Sequence, residues 1–212
     1  MVSKLPQPIS KEEFDKLLES AKAQREEYWM PRKEQYKTRG KYIQQYIISM
    51  VLAFGAGMRI SEIVGLNKTY TYKYKGAVKI QKCLIQPLRP EDVDKDFIRL
   101  KGAKGGKDRA VIIPQSLFRK AGIKREEFIA NLPLEVSRSS IQRYVTELGI
   151  KVLNKNISFH KARHGFATFM LKQGMNIKQV QMLMGHSNVS TTSLYLHASP
   201  EEALAKVKEM EW

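Results

Sequence analysis

The hydrophobic periodicity of this chain changes twice, and that limits its architecture more than any other feature. Over the first third, apolar residues recur every three to four positions. Phe14, Leu17, Leu18 and Ala21 share one face of a first helix. Its start at Ser10 is marked by a capping box with Glu13 and by the staple pair Ile9 and Phe14. Ile43, Tyr46, Ile47, Met50 and Phe54 make the buried stripe of a second helix over about 42–54, stopped by Gly55 and Gly57. Pro31 and Gly40 read as breakers ahead of it. A short helix over 61–66 follows.

Between residues 70 and 113 the pattern turns strand-like. Val78–Ile85, Phe97–Leu100 and Ala110–Ile113 read as strands. The last two are joined across the turn Gly102-Ala-Lys-Gly-Gly, which contains Lys104. From residue 114 the period is helical again. One helix covers Ser139–Leu148, another is capped by Ser158 and ends before Gly174, and a third runs from an Asn176 cap to Gly185. A short helix is expected over Ser190–His197, and Ser199-Pro200-Glu201-Glu202 opens a last one. The expected class is therefore α+β, mostly helical with a small antiparallel sheet, forming one unit over residues 1–212.

Composition narrows the function. With 42% apolar residues in 212, the chain can bury a real core, which excludes disordered and collagen-like classes. Lys and Arg number 37 against 21 Asp and Glu, a formal charge of +16. So much like charge repels itself in a compact state, and a polyanionic partner is the natural inference. Nucleic acid leads, while an anionic membrane surface or a merely solvated lysine-rich surface are the alternatives. The single cysteine, Cys83, rules out an internal disulfide and any Cys-based metal cluster. The longest strongly apolar stretch, Ile47–Phe54, is too short to span a bilayer, and no signal-like segment opens the chain. A soluble, cytoplasmic and nucleoid-associated protein is expected.

Four segments carry candidate chemistry. They are Gly57-Met-Arg-Ile-Ser-Glu62, Lys104-Gly-Gly-Lys-Asp-Arg109, His160-Lys-Ala-Arg163, and Gly185-His186 with Tyr195 nine residues on. Taken singly, an arginine is ordinarily a solvated or paired surface residue and a tyrosine a packing one. The His160/Arg163 pair is more informative, because with Ser158 as N-cap both lie in the first turns of a helix. There, free N–H groups and the helix dipole favour an anion. Arginine offers a planar fork matched to phosphate oxygens, and histidine moves a proton near neutral pH.

In this order the segments resemble the catalytic domain of the tyrosine recombinases of the Xer and phage-integrase type. The resemblance is carried by Gly57-Met-Arg-Ile-Ser-Glu-Ile-Val-Gly-Leu66, His160-Lys-Ala-Arg-His-Gly-Phe-Ala-Thr168 and Leu183-Met-Gly-His-Ser-Asn-Val-Ser-Thr-Thr-Ser-Leu-Tyr195. It implies site-specific cleavage and rejoining of double-stranded DNA, with no cofactor and no metal. Tyr195 would attack the scissile phosphate to give a 3′-phosphotyrosyl link. Arg59, Arg163 and His186 would hold the non-bridging oxygens, and His160 would help take the phenol proton. Lys104, in preference to Lys101 or Lys107, would protonate the leaving 5′-oxygen. Glu62 would orient the site from behind Arg59, or else form only a helix salt bridge. His164 and His197 have no assigned part beyond packing or solvent contact.

The resemblance also implies a tetramer on DNA, with a monomer expected when free, and a C-terminal helix that packs either in cis or on a neighbour. The chain departs from the family in two places. The Arg59–Lys104 interval is long, which places an insertion near Tyr70–Val93, rich in Tyr and Lys. That insertion either lies along DNA or forms an elongated strand pair packed on the core. The family's N-terminal core-binding domain is expected to be absent, since the match starts at Leu5. Rival readings are a catalytically silent DNA-binding module, a topoisomerase-like activity that only relaxes DNA, and a basic RNA-binding protein. The last explains the charge but not the ordered Arg, Lys, HxxR, His and Tyr set.

Overall fold

The fold is described from a computed structural model, covering residues 8–29, 34–74, 77–103, 107–185 and 200–209. Helix α1 (Lys11–Trp29) starts where the sequence places it: Glu13 N–H bonds Ser10 Oγ, and Ser10 N–H bonds the Glu13 carboxylate. Its apolar stripe meets α2 (Glu34–Gly55), and Phe14 stacks on Phe54 with ring centres 4.1 Å apart. Around this pair gather α4 (Gln115–Lys120), α5 (Arg125–Ala130), α6 (Arg138–Leu153) and α7 (Phe159–Lys172). Ile47, Ile48, Val51 and Leu52 of α2 are wholly buried, so α2 is the central helix of the core. Among the described residues no helix is long and apolar enough to cross a membrane.

Three expectations about local structure are corrected. Helix α2 begins eight residues before Tyr42 and runs straight through Gly40. Gly40 is buried there, next to an Arg39 guanidinium that lies 4.6 Å above the Tyr28 ring of α1. Packing against α1 overrides the weak helix propensity of glycine. Helix α6 extends to Leu153, where Asn154 takes the left-handed conformation that closes it. The strands, finally, form two separate antiparallel pairs rather than one small sheet. β1 (Leu66–Tyr74) pairs with β2 (Ala77–Ile85), and β3 (Phe97–Ala103) pairs with β4 (Lys107–Ile112).

The two ribbons are placed differently. β3–β4 is stitched into the body: Ile98, Leu100 and Val111 join the main core, while Ile112 joins a smaller cluster with Phe166, Met170, Val180, Leu183 and Val207. That smaller cluster unites α7, α8 (Ile177–Met184) and α9 (Pro200–Glu209), so α9 packs in cis, with Lys208 paired to Asp96 at 2.7 Å. β1–β2 instead projects from the body, with Ala77–Lys82 exposed and Ile85 tucked in at its base. The reading of the insertion as a strand pair packed on the core is thereby corrected.

Candidate functional site

The turn after α2 and the short helix α3 (Ile60–Val64) set the first half of the site. Gly57 is left-handed at φ +61°, and a Cβ there would lie 2.7 Å from the Phe166 ring. This close turn puts Arg59 at the N-cap of α3 and Glu62 at its third position. The Glu62 carboxylate accepts the Arg59 backbone N–H at 2.7 Å and the Arg59 guanidinium at 2.7 Å. It also accepts Arg109 Nη2 at 2.7 Å, and Arg163 Nη1 lies 4.0 Å away. Three arginines from α3, β4 and α7 thus converge on one carboxylate that is only 3% exposed.

All three also grip the end of α8. Arg109 donates to the Leu183 carbonyl, Arg163 to the Met184 carbonyl, and Arg59 to the Gly185 carbonyl at 2.8 Å. Those are consecutive carbonyls at a helix C-terminus, where the unpaired oxygens and the dipole both favour cations. Arg163 donates in addition to the Gly57 carbonyl and is 1% exposed. Burial, reinforced by Arg59 and Arg109, pushes its guanidinium down to about 9, with Glu62 opposing, so it stays protonated at pH 7. Burial and Arg59 likewise lower Arg109 against the pull of Glu62. The Nε atoms of Arg109 and Arg163 are buried without an acceptor among the described residues. The cluster therefore holds more positive charge and more donors than its own acceptors use, as an anion site requires.

Arg109 is the residue that sequence reasoning left without a role. The only signal was its position at the end of the lysine turn segment, because its partners lie far off in sequence on α3 and α8. Gly185 is fitted to it. At φ +60° this glycine closes α8, and a Cβ would sit 2.8 Å from both Cδ and Nε of Arg109. Gly185→Ala should therefore cost about 1–3 kcal/mol, through left-handed strain and the clash together. Denaturant unfolding measures it, and an unchanged midpoint would show that the turn relaxes freely.

His160 stands at the start of α7, beside a groove of about 860 Å³ that runs past Arg59, Arg163, Arg138 and the inner side of the β1–β2 ribbon. The expected free N–H groups of α7 are in part already used. Ser158 Oγ accepts from Lys161, and Gln142 Oε1 accepts the Phe159 N–H at 2.9 Å. Recognition of an anion at this helix start falls mainly to side chains. His164 meets His160 edge-on, ring centres 4.5 Å apart. Partial burial first, then His164, Arg163 and Arg59, hold the His160 imidazole below its ordinary 6.5, so it is neutral at pH 7 and able to accept a proton.

The sign of this shift gives a pH dependence. A reaction that uses His160 as base should keep its rate through neutral pH and lose it as His160 protonates, below 6.5. His160→Gln should flatten that acid limb in a rate-against-pH profile, and an unchanged limb would assign it to another group.

Arg59, His160 and Arg163 are thus brought together along one groove, with Glu62 buried against the arginines. Lys104, His186, Tyr195 and His197, and the helix expected over Ser190–His197, lie outside the described residues. The strands flanking 104–106 and the end of α8 before His186 are both held by Arg109. Lys101 is exposed on β3.

Comparison with known proteins points the same way. A profile described as the phage integrase family matches residues 7–202. A tyrosine recombinase of Thermosipho africanus is 34% identical over 167 residues, covering 75% of this chain and 52% of that protein. The crystal structure of XerA recombinase superposes with a TM-score of 0.55 at 24% identity, over 98% of this chain and 67% of that one. A XerH site-specific recombinase bound to its difH substrate superposes at 0.53 with 20% identity, over 100% of this chain and 56% of that one. The chain spans about half the length of the curated relatives it matches.

Proposed function

This chain belongs to the phage integrase family, and from that premise we propose that it cuts and rejoins double-stranded DNA at specific sites through a 3′-phosphotyrosyl intermediate. The observation that carries the reading is the arginine cluster: three guanidiniums share a single buried carboxylate at one end of a groove flanked by a neutral histidine.

A backbone phosphate entering the groove brings the anion that the cluster lacks. Arg59 and Arg163 take its non-bridging oxygens, joined by His186, and stabilise the charge that builds at phosphorus. The Tyr195 oxygen attacks phosphorus while His160 accepts the phenol proton. The bond from phosphorus to the 5′-oxygen breaks, and Lys104 supplies the proton that makes that oxygen a hydroxyl. A 5′-hydroxyl from a partner strand then attacks the phosphotyrosine and restores the phosphodiester. Bond energy is conserved in the covalent intermediate, so no nucleotide is consumed. Glu62 keeps Arg59, Arg109 and Arg163 in register while leaving the site net positive. In this reading the cations do the work that metal ions do in two-metal nucleases. Exchange between duplexes needs several protomers, so the chain assembles as a tetramer on DNA and works in the cytoplasm at the nucleoid.

A nicked suicide duplex bearing a site selected from random sequence tests the reading. The expected result is a covalent protein–DNA band on a denaturing gel, formed in EDTA and lost in Tyr195→Phe. An adduct that survives Tyr195→Phe would displace the nucleophile, and one abolished by EDTA would overturn the metal-free chemistry. A plasmid that is relaxed but never recombined would assign the topoisomerase-like alternative.

A further inference from the structure

The β1–β2 ribbon has no place in the chemistry above, yet it forms one wall of the groove in which that chemistry would occur. Tyr70, Gln81, Lys82 and Cys83 line the groove opposite Arg59, His160, Arg163 and Arg138. The ribbon's sequence is one-sided in charge. From Ile63 to Pro90 there is no Asp or Glu, whereas Lys68, Lys73, Lys75, Lys79, Lys82 and Arg89 all fall in that span. The other two long acid-free stretches, 35–61 and 148–200, carry Arg59 and the His160/Arg163 pair, so the ribbon shares the one-signed charge of the segments that build the groove.

The packing is equally uneconomical for a purely structural element. A two-stranded ribbon has little stability of its own, and this one buries only its base. Tyr70 is 42% exposed, with Lys68 Nζ 5.2 Å from its ring centre. Nine paired residues in each strand reach roughly 30 Å, long enough to follow a nucleic-acid backbone beyond one phosphate. The like charges along it gain nothing from one another and gain a great deal from a polyanion.

We propose that the β1–β2 ribbon is a second duplex-DNA contact surface. It forms the outer jaw of the groove, with Lys82 on one face of the ribbon and Lys68 on the other holding phosphates on either side of that jaw. The ribbon positions the duplex and carries no base readout. This rests on the reading that duplex DNA enters the groove. A rival occupant is a protein, because Val78, Ile80 and Leu84 are 61%, 73% and 55% exposed on the ribbon.

The test is equilibrium binding of the full chain to a labelled duplex across a salt series, with binding read independently of cleavage. The double variant Lys68→Gln, Lys82→Gln should bind about tenfold more weakly at moderate salt. The slope of log affinity against log salt should flatten by about 1.8, near 0.9 for each phosphate that is no longer neutralised. Both side chains are exposed, so the melting temperature should hold and separate this effect from misfolding. An unchanged slope with affinity within twofold overturns the proposal. A second variant, Val78→Ser, Ile80→Ser, Leu84→Ser, should leave the slope as it is. If it instead breaks up a self-association that the lysine variant preserves, and the lysine variant binds DNA normally, the ribbon is a protein interface and the proposal fails. A chain that shows the lysine effect but forms no covalent adduct would sink the recombinase reading and leave the ribbon's role in DNA binding standing.

Discussion

Arg163→Lys should slow DNA cleavage by about a hundredfold to a thousandfold while weakening DNA binding by less than about tenfold. The asymmetry follows from where Arg163 sits. At 1% exposure, with its two terminal nitrogens donating to the Gly57 and Met184 carbonyls, it is reached by a phosphate only from within the groove that it lines. Binding draws on many surface cations along the duplex, whereas charge developing at phosphorus is felt only within the cluster. Lysine keeps the charge but loses the planar fork, so it cannot serve two carbonyls and a phosphate together. Single-turnover adduct formation on the suicide duplex, set against equilibrium binding, measures the two effects. Equal losses in both would demote Arg163 to an ordinary phosphate ligand. Lysine is the informative replacement, because alanine would also strand two buried carbonyls.

Glu62→Ala should destabilise the fold by about 3–5 kcal/mol, the usual cost of removing one partner from a buried charge network. At roughly 2–4 °C per kcal/mol for a chain of this size, the melting temperature should fall by about 10 °C. The cause is repulsion released: Arg59, Arg109 and Arg163 would face one another with no anion between them. Added phosphate or sulfate should recover part of the loss, and more of it than in the unmodified chain, because an anion can stand where the carboxylate stood. Thermal unfolding with and without phosphate checks both statements. A fall of under about 3 °C would mean that Glu62 is the plain helix salt bridge that the sequence also allowed.

Much of this was legible because it is written locally. Ser10 with Glu13, Ser158, Asn176 and Gly185 each declare a helix end through chemistry confined to three or four residues, and each stands where it was expected. The pairing of Arg59 with Glu62 is equally local, three residues apart on one helix start. Arg109 was not legible, since what defines it is a carboxylate and a carbonyl brought close only by the folded chain. The same limit explains the sheets. Alternation marks a strand but does not name its partner, and β1, rich in Thr and Tyr with few aliphatics, shows little of the usual signal until β2 is laid against it. Gly40 misled because propensity is judged residue by residue, while its helix is held by α1.

The grip on α8 has a consequence for how variation can reach this site. The arginines seize main-chain oxygens of Leu183, Met184 and Gly185, atoms that every amino acid possesses. Exchanging the side chains of Leu183 or Met184 can loosen the small apolar cluster beneath them, yet it cannot erase the anchor itself. The anchor at the end of α8 is thus written in a form that drift at the anchored positions does not readily reach, and among the described residues its points of failure are the three guanidiniums and the glycine that lets the backbone turn.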